Sequence, residues 1–253
     1  MQLPPISQAE IETRIGGHLD ELLELWWTEQ GTSKPRDLRL LASALPFPRD
    51  QAVRVLDLCC GPGDAGRAIR NEYLNAQVDC VDRDLFLASI CAGVNRRDQV
   101  PGKMVIADLT NYGWQADLPS SYDVVVTVNA LHWFEVARAE ELMREIHALL
   151  RNGGVFLLAE PAAPEVPFAV GFQRWKSNEP PRYSRENWER FWSRANEILG
   201  YDHPKLWGPR PTNRVDEDMT VAGWTRLVQS AGFVPTDVLL RDADQVIIAA
   251  LKS

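Results

Sequence analysis

The sequence predicts a Rossmann-like α/β fold: a doubly wound, mainly parallel seven-stranded sheet ending in an antiparallel hairpin, with N-terminal helices and a helical lid inserted late in the chain. Three observations lead there. From Val53 onward, short β-branched runs alternate with amphipathic helical stretches, the texture of βαβ units with helices on both faces of a sheet. The first run, "VLDLCCGPGDAG" over Val55–Gly66, breaks into glycines at 61, 63 and 66 just as a helix begins. The last two runs, "TDVLLR" and "QVIIAALKS", have only Asp242-Ala243-Asp244 between them, which predicts an antiparallel pair.

Taken in order, residues 1–50 read as a helical segment that helps to roof a site. Ser7 and Glu10 have capping-box spacing, and Ile11, Ile15, Leu19, Leu22 and Trp26 follow at helical intervals up to Gly31. A second helix is expected over Arg36–Leu45, before "PFPRD" breaks the chain. Residues 51–160 form the expected core, with strands "VRVLDL", "VDCVDR", "KMVIADL", "YDVVVTVNA" and "VFLLAEP" separated by helical stretches. Asn152-Gly153-Gly154 reads as the stop of the last of these helices, with Arg151 at the negative end of its dipole. Over 161–215 the rhythm fails. That stretch holds eight of the 17 prolines and four of the nine tryptophans, and nine Lys and Arg against six acids, which marks it as an insertion capping a substrate. Residues 216–253 restore the pattern with a helix, "VAGWTRLVQSAGF", and the hairpin that completes the core.

Bulk properties narrow the function. A net charge of -8 lacks the basic footprint of a nucleic-acid binder. No apolar run approaches membrane-spanning length, and "MQLPPISQAE" has neither a basic n-region nor an apolar h-region, so a cytoplasmic protein without a membrane partner is expected. The four cysteines, 59, 60, 80 and 91, have the spacing of neither a disulfide framework nor a zinc site and read as small core hydrophobes. His18, His147 and His203 likewise show no metal-ligand spacing, so no metal is expected.

The glycine loop sets the chemistry. Glycines at the carboxyl end of a strand let a ligand approach bare backbone, and the helix starting near Asp64 offers unpaired N–H groups to an anion. Asp82 ends the second strand about twenty residues on, where a carboxylate takes ribose hydroxyls. These features suit a dinucleotide or an adenosyl amino acid. Three others favour the second. Asp57 lies inside the first strand, which a dinucleotide fold keeps apolar; Asp108 places a further acid at the sheet edge, where it can accept from an adenine amino group; and the chain ends in a helix and hairpin instead of a second mononucleotide half.

In this order and spacing, "VLDLCCGPG", "VDRD", "IADL", "VNALHWF" and "LLRNGGVFLLAEP" resemble the class I S-adenosylmethionine-dependent methyltransferases, most strongly over Val53–Arg151. The resemblance implies S-adenosylmethionine as cofactor, S-adenosylhomocysteine as product, and a small-molecule acceptor methylated first of all on oxygen, with nitrogen or carbon open. By it, Gly61 and Gly63 pass beside the methionine part of the cofactor, Asp82 holds the ribose, Arg83 lies beside the adenine, and Asp108 with the adjoining Leu109 meets the adenine amino group. The Asn129 backbone helps to bind the methionine amino group, and Asp57 supports the loop or reaches that group through water. The family usually has glycine where this chain has Cys59, a residue the loop tolerates with a negative φ. Upstream, "SKPRDLRLLASAL" is similar to the N-terminal helix of small-molecule methyltransferases related to the trans-aconitate enzyme, which implies that Lys34 or Arg36 meets the cofactor carboxylate.

For the acceptor, the fourth strand ends in "NALHWF", where ligands of open α/β sheets bind. His132 is the candidate general base, needed only if the acceptor must lose a proton; the alternative is a hydrogen bond to the loop or to the acceptor. Trp133 either walls the pocket, offers its N–H to a carboxylate like the matching Trp of plant carboxyl methyltransferases, or packs in the core. In the lid, Trp175, Trp188 and Trp192 are expected to bury an apolar or aromatic acceptor, Arg174 and Arg182 to meet an acidic one, and Trp26 to complete the roof. An NAD-dependent oxidoreductase and a catalytically idle S-adenosylmethionine-binding module are the competing classes.

Overall fold

The structure, a computed structural model, describes residues 2–29, 33–178, 184–209, 211–215, 219–242 and 244–253. The described residues form one seven-stranded sheet: β1 (Arg54–Leu58), β2 (Gln77–Asp82), β3 (Met104–Ile106), β4 (Tyr122–Val128), β5 (Leu150–Pro161), β6 (Thr236–Asp242) and β7 (Gln245–Leu251). Their spatial order is β3-β2-β1-β4-β5-β7-β6. The first five strands run parallel, and β7 pairs antiparallel with both β5 and β6. The near-complete burial of β1 and β4 follows from this, since a parallel strand covered on both faces has no solvent side. Winding reverses between β1 and β4, and in open sheets of this kind the crevice at such a switch point is where ligands bind.

Helices cover both faces. On one side α3 (Ser33–Ser43) and α4 (Asp64–Glu72), with Tyr73 just past its end, bury Leu38, Leu41, Ile69 and Tyr73 against the sheet. On the other, α6 (Val136–Leu149) and α9 (Val221–Ser230) bury Leu142, Met143, Trp224 and Val228. A third cluster joins α1 (Gln8–Gly16), α2 (Leu19–Glu29), α5 (Leu85–Arg97) and α8 (Arg185–Leu199) through Ile11, Ile15, Leu22, Phe86, Ile90, Phe191 and Trp192. The insertion is therefore anchored on the N-terminal helices. Its remaining helix, α7 (Ala169–Lys176), buries no residue.

Four expectations are corrected. The N-terminal segment is two helices: α1 ends at Gly16 with Gly17 as its cap, because consecutive glycines each weaken a helix by about 1 kcal/mol relative to alanine. The expected end at Gly31 lies outside the described residues. The next helix starts at Ser33, three residues early, since Pro35 in a first turn loses no helical hydrogen bond. Asn152-Gly153-Gly154 belongs to β5, because Leu150 already pairs with Tyr122; a register shift follows, and Gly153 takes a φ of 72°. The third strand stops at Ile106, so Asp108 sits in the loop beyond it. No helix among the described residues is long and apolar enough to cross a membrane.

Candidate functional site

A cleft of about 1120 Å³ opens over the carboxyl ends of β1, β2 and β4. That exceeds the roughly 300–1,000 Å³ of a single small-ligand site, leaving room for a cofactor and an acceptor together. Its cofactor half is built by the loop after β1. Asp57 is wholly buried and accepts the Gly66 amide at 2.8 Å, which ties the strand to the start of α4. Burial pushes its carboxyl well above the usual range, partly offset by that amide. A side chain at Gly66 would meet Val78 Cγ1 at 2.6 Å, so the third glycine is a packing requirement between helix and strand. Gly61 (φ 54°) and Gly63 (φ 83°) both stand in the left-handed region.

Cys59 shares that conformation, with φ 52°. The expectation of a negative φ is thus overturned: the chain makes a left-handed turn on a residue other than glycine, and a side chain there costs about 1–2 kcal/mol. Asn129 does the same after β4, with φ 54°, its amide donating to the Ala159 carbonyl and its side-chain oxygen accepting from Gln245. Both strand tips beside the switch point therefore carry a left-handed residue.

At the tip of β2, Asp82 is buried and accepts the Gly61 amide on Oδ2 and the Asp84 amide on Oδ1, each at 2.8 Å. Burial, reinforced by the neighbouring Asp84 charge, raises its pKa to about 6 despite those two donors. One lone pair on each oxygen stays free for a ligand hydroxyl. Arg83 reaches Asp108 at 3.4 Å, and Asp108 Oδ1 accepts from the Thr110 amide and hydroxyl. Partial burial raises the Asp108 pKa, but Thr110 and Arg83 together hold it below the ordinary value. Leu109 is buried at the cleft wall, its carbonyl held by Arg138 Nε at 2.8 Å. Lys34 lines the cleft mouth with its Nζ 2.8 Å from Asp64 Oδ2 and 5.1 Å from the Trp26 ring centre, while Trp26 Nε1 donates to the same carboxylate. Arg36 is not brought in. It is bound to Asp37 and Asp242 away from the cleft.

The other half of the cleft is built around His132, in a short turn (Leu131–Trp133) after β4. His132 Nδ1 is 2.7 Å from Glu160 Oε2, and Glu160 Oε1 accepts the amides of Ala130 and Leu131 at 2.8 and 2.6 Å. Beside a carboxylate the Nδ1 nitrogen carries the proton, leaving Nε2 as the basic nitrogen. Trp133, Phe134, Phe172, Trp188 and Trp207 supply aromatic wall. The Trp26 and Trp188 ring centres stand 6.4 Å apart, and both line the cleft. Trp175 and Arg174 are exposed and do not line the cleft, and Trp192 is buried in the third core cluster, stacked on His203. Arg182 lies outside the described residues.

Several functional residues went unread in the sequence. Glu160 has the same signal as Asp57, an acid within an apolar strand, "VFLLAEP", but its partner lies 28 positions away. Asp64 gathers Trp26, Lys34 and Arg67 at the N-terminus of α4. Asp84 caps α5 and accepts from His203 at 2.9 Å and Trp207 at 2.6 Å, fastening the insertion to the core.

Residues 55–154 match the model of a family described as a methyltransferase domain. Among curated proteins the chain is similar to trans-aconitate 2-methyltransferase of Variovorax paradoxus, at 29% identity over 136 residues covering 53% of this chain and 48% of that protein. It thus spans about half the length of the curated relative it matches. Among solved structures it is similar to human N-acetylserotonin methyltransferase in complex with S-adenosylmethionine, with TM-score 0.57 and 15% identity over 98% of this chain and 60% of the other. An O-methyltransferase family protein from Burkholderia thailandensis gives TM-score 0.57 and 14% identity over 87% and 56%. At such identities these two likenesses are of fold.

Proposed function

We propose that this chain, whose residues 55–154 match a methyltransferase domain, is a class I S-adenosylmethionine-dependent enzyme that methylates a hydroxyl oxygen of a small, ring-bearing acceptor. The residues at the β1, β2 and β4 tips fit the cofactor. Asp82 keeps acceptor capacity for ribose hydroxyls, and the glycine turn before α4 leaves bare backbone for the methionine part. Asp108 is placed for the adenine amino group with Leu109 beside it, Asn129 for the methionine amino group, and Lys34 at the carboxylate end. Bound there, S-adenosylmethionine supplies an activated methyl group and leaves as S-adenosylhomocysteine.

The observation that carries the oxygen assignment is the 2.7 Å contact between His132 and Glu160. A carboxylate acceptor is already ionised and needs no base, whereas a phenol or alcohol must lose its proton. Glu160 fixes the imidazole with Nε2 unprotonated and stabilises the imidazolium once that nitrogen has taken the hydroxyl proton. The chain's remaining tasks are to align the acceptor and to exclude water.

The wall favours rings over anions. Among the described residues, its lining cations Lys34, Arg83, Arg138, Lys176 and Arg185 are each paired with an acid, namely Asp64, Asp108, Glu145, Asp244 and Glu189. The curated relative is named for an acidic acceptor, trans-aconitate; these paired cations support a neutral aromatic one here. Turnover of a panel of phenols, alcohols and carboxylates with S-adenosylmethionine tests the reading. Phenols or alcohols should be methylated by the native chain and far more slowly by His132→Ala. Methylation of carboxylates alone, undiminished in the variant, would overturn it.

A further inference from the structure

We propose that Cys60, Cys80 and Cys91, with Met104 beside them, form a binding site for a soft d10 cation, Zn(II) or Cu(I), beneath the glycine loop. Cys60 follows β1, Cys80 lies on β2 and Cys91 on α5, positions 20 and 11 residues apart, so no sequence motif announces them. In the fold their three sulfurs lie within 4.8 Å of one another, all buried. A cation about 2.3 Å from each thiolate holds its sulfurs roughly 4 Å apart, so only a small closure is needed. Met104 Sδ, on the neighbouring β3, is 4.0 Å from Cys60 Sγ and supplies a fourth soft donor. A thiolate and thioether set selects Cu(I) and Zn(II) over the hard cations.

One feature distinguishes this cluster from cysteines that only fill space. Asn95 Nδ2 donates to both Cys80 Sγ (3.8 Å) and Cys91 Sγ (3.6 Å), an outer contact of the kind that orients metal-binding ligands.

The site would also bear on the loop above it. The Gly63 amide donates to the Cys60 carbonyl at 2.9 Å, and a Cβ on Gly63 would stand 2.6 Å from Cys91 Sγ. A cation drawing Cys60 and Cys91 together would stiffen that turn. This last step rests on the cofactor reading; the metal site itself does not.

The test uses the full chain, reduced and stripped of metal, with no cofactor present. It is titrated with Zn(II) and, anaerobically, with Cu(I), each against a chromophoric competitor. One equivalent of at least one cation should bind, with a thiolate charge-transfer band in the ultraviolet and protection of three thiols from alkylation. Cys80→Ser and Cys91→Ser should each abolish stoichiometric binding, and Cys59→Ser should retain it. Asn95→Ala, which keeps every sulfur, should weaken binding roughly 10–100-fold, and it keeps the test decisive if a cysteine variant does not fold. Absence of stoichiometric binding to the folded native chain overturns the proposal, and so does binding of full affinity in folded Cys91→Ser or in Asn95→Ala.

Discussion

His132 and Glu160 meet at 2.7 Å across the tips of two adjacent parallel strands, and the same carboxylate holds the two backbone amides that precede the imidazole. Because one acid fixes both the ring and the turn that carries it, the imidazole is held in place relative to the cleft floor.

Glu160→Gln should keep the turn, since an amide oxygen still accepts from Ala130 and Leu131, yet present an N–H to His132 Nδ1. The imidazole then takes the wrong tautomer. We expect kcat to fall by roughly 10²–10⁴ with little change in acceptor KM, and the activity to become less steeply dependent on pH. Steady-state kinetics from pH 5 to 9 would show it, and a kcat within a few-fold of native removes the dyad from the chemistry.

In the proposed cofactor site, Asp82 would meet the ribose through two oxygens already half used by backbone amides. Asp82→Ala removes charge-assisted bonds worth about 1.5–3 kcal/mol, a loss of about ten- to 150-fold in S-adenosylhomocysteine affinity by calorimetry. With its pKa near 6, the native chain should bind this ligand more weakly as the pH falls from 7 toward 5. The stability effect has the opposite sign. A raised carboxyl pKa favours the fold below the unfolded value of about 3.9, and that contribution is lost as pH rises through 6. Affinity independent of pH over this interval would contradict the ribose assignment.

The left-handed turn at residue 59 predicts an asymmetric substitution series. Cys59→Gly relieves the backbone while loosening the unfolded chain, so its stability should lie within about 1 kcal/mol of native. Cys59→Val puts a branched Cβ at φ 52° and should be destabilised by more than Cys59→Ala. Urea denaturation of the three variants decides; a valine variant as stable as the glycine one contradicts the turn.

Gly66 lies where α4 crosses β2. Gly66→Ala should destabilise by about 1–3 kcal/mol through its 2.6 Å approach to Val78 Cγ1, and Val78→Ala in the same chain should recover part of the loss. Additive losses in the double variant would show that the contact is not the cause.

Asp84 fastens the insertion by accepting from His203 and Trp207 while capping α5. Its burial alone would raise its pKa, but His203, Trp207 and the α5 amides lower it below the ordinary carboxylate value. A depressed carboxyl pKa stabilises above the unfolded value of about 3.9, and the contribution disappears as pH falls through the folded one. Asp84→Ala strands a buried His203 and should cost about 3–5 kcal/mol in thermal or urea unfolding at pH 7, with a smaller deficit below pH 4. An equal deficit at both values would assign the loss to packing alone.

What the chain discloses about itself follows the range of its interactions. The strands, the glycine loop and the acids at 57, 82 and 108 are local signals, because apolar alternation and a strand-end carboxylate are written within a few residues. Glu160, Asp64 and Asp84 escaped notice because each owes its role to a partner far off in sequence: His132, Trp26 with Lys34, and His203. The lid tryptophans split for the same reason. Trp188 and Trp192 share one amphipathic helix, and only the position of Phe86 and His203 decides that the second is core while the first faces the cleft.

The proposed roof over the acceptor would be spliced from two segments far apart in the primary structure: Trp26 of α2 lies against Trp188 and Phe191 of α8, and Glu21 is bound to Arg194. Anyone wishing to transplant acceptor choice between scaffolds would have to carry both pieces. A chimera that exchanges the insertion alone leaves its aromatic underside facing a foreign partner, and such grafts should misassemble before their selectivity can be judged.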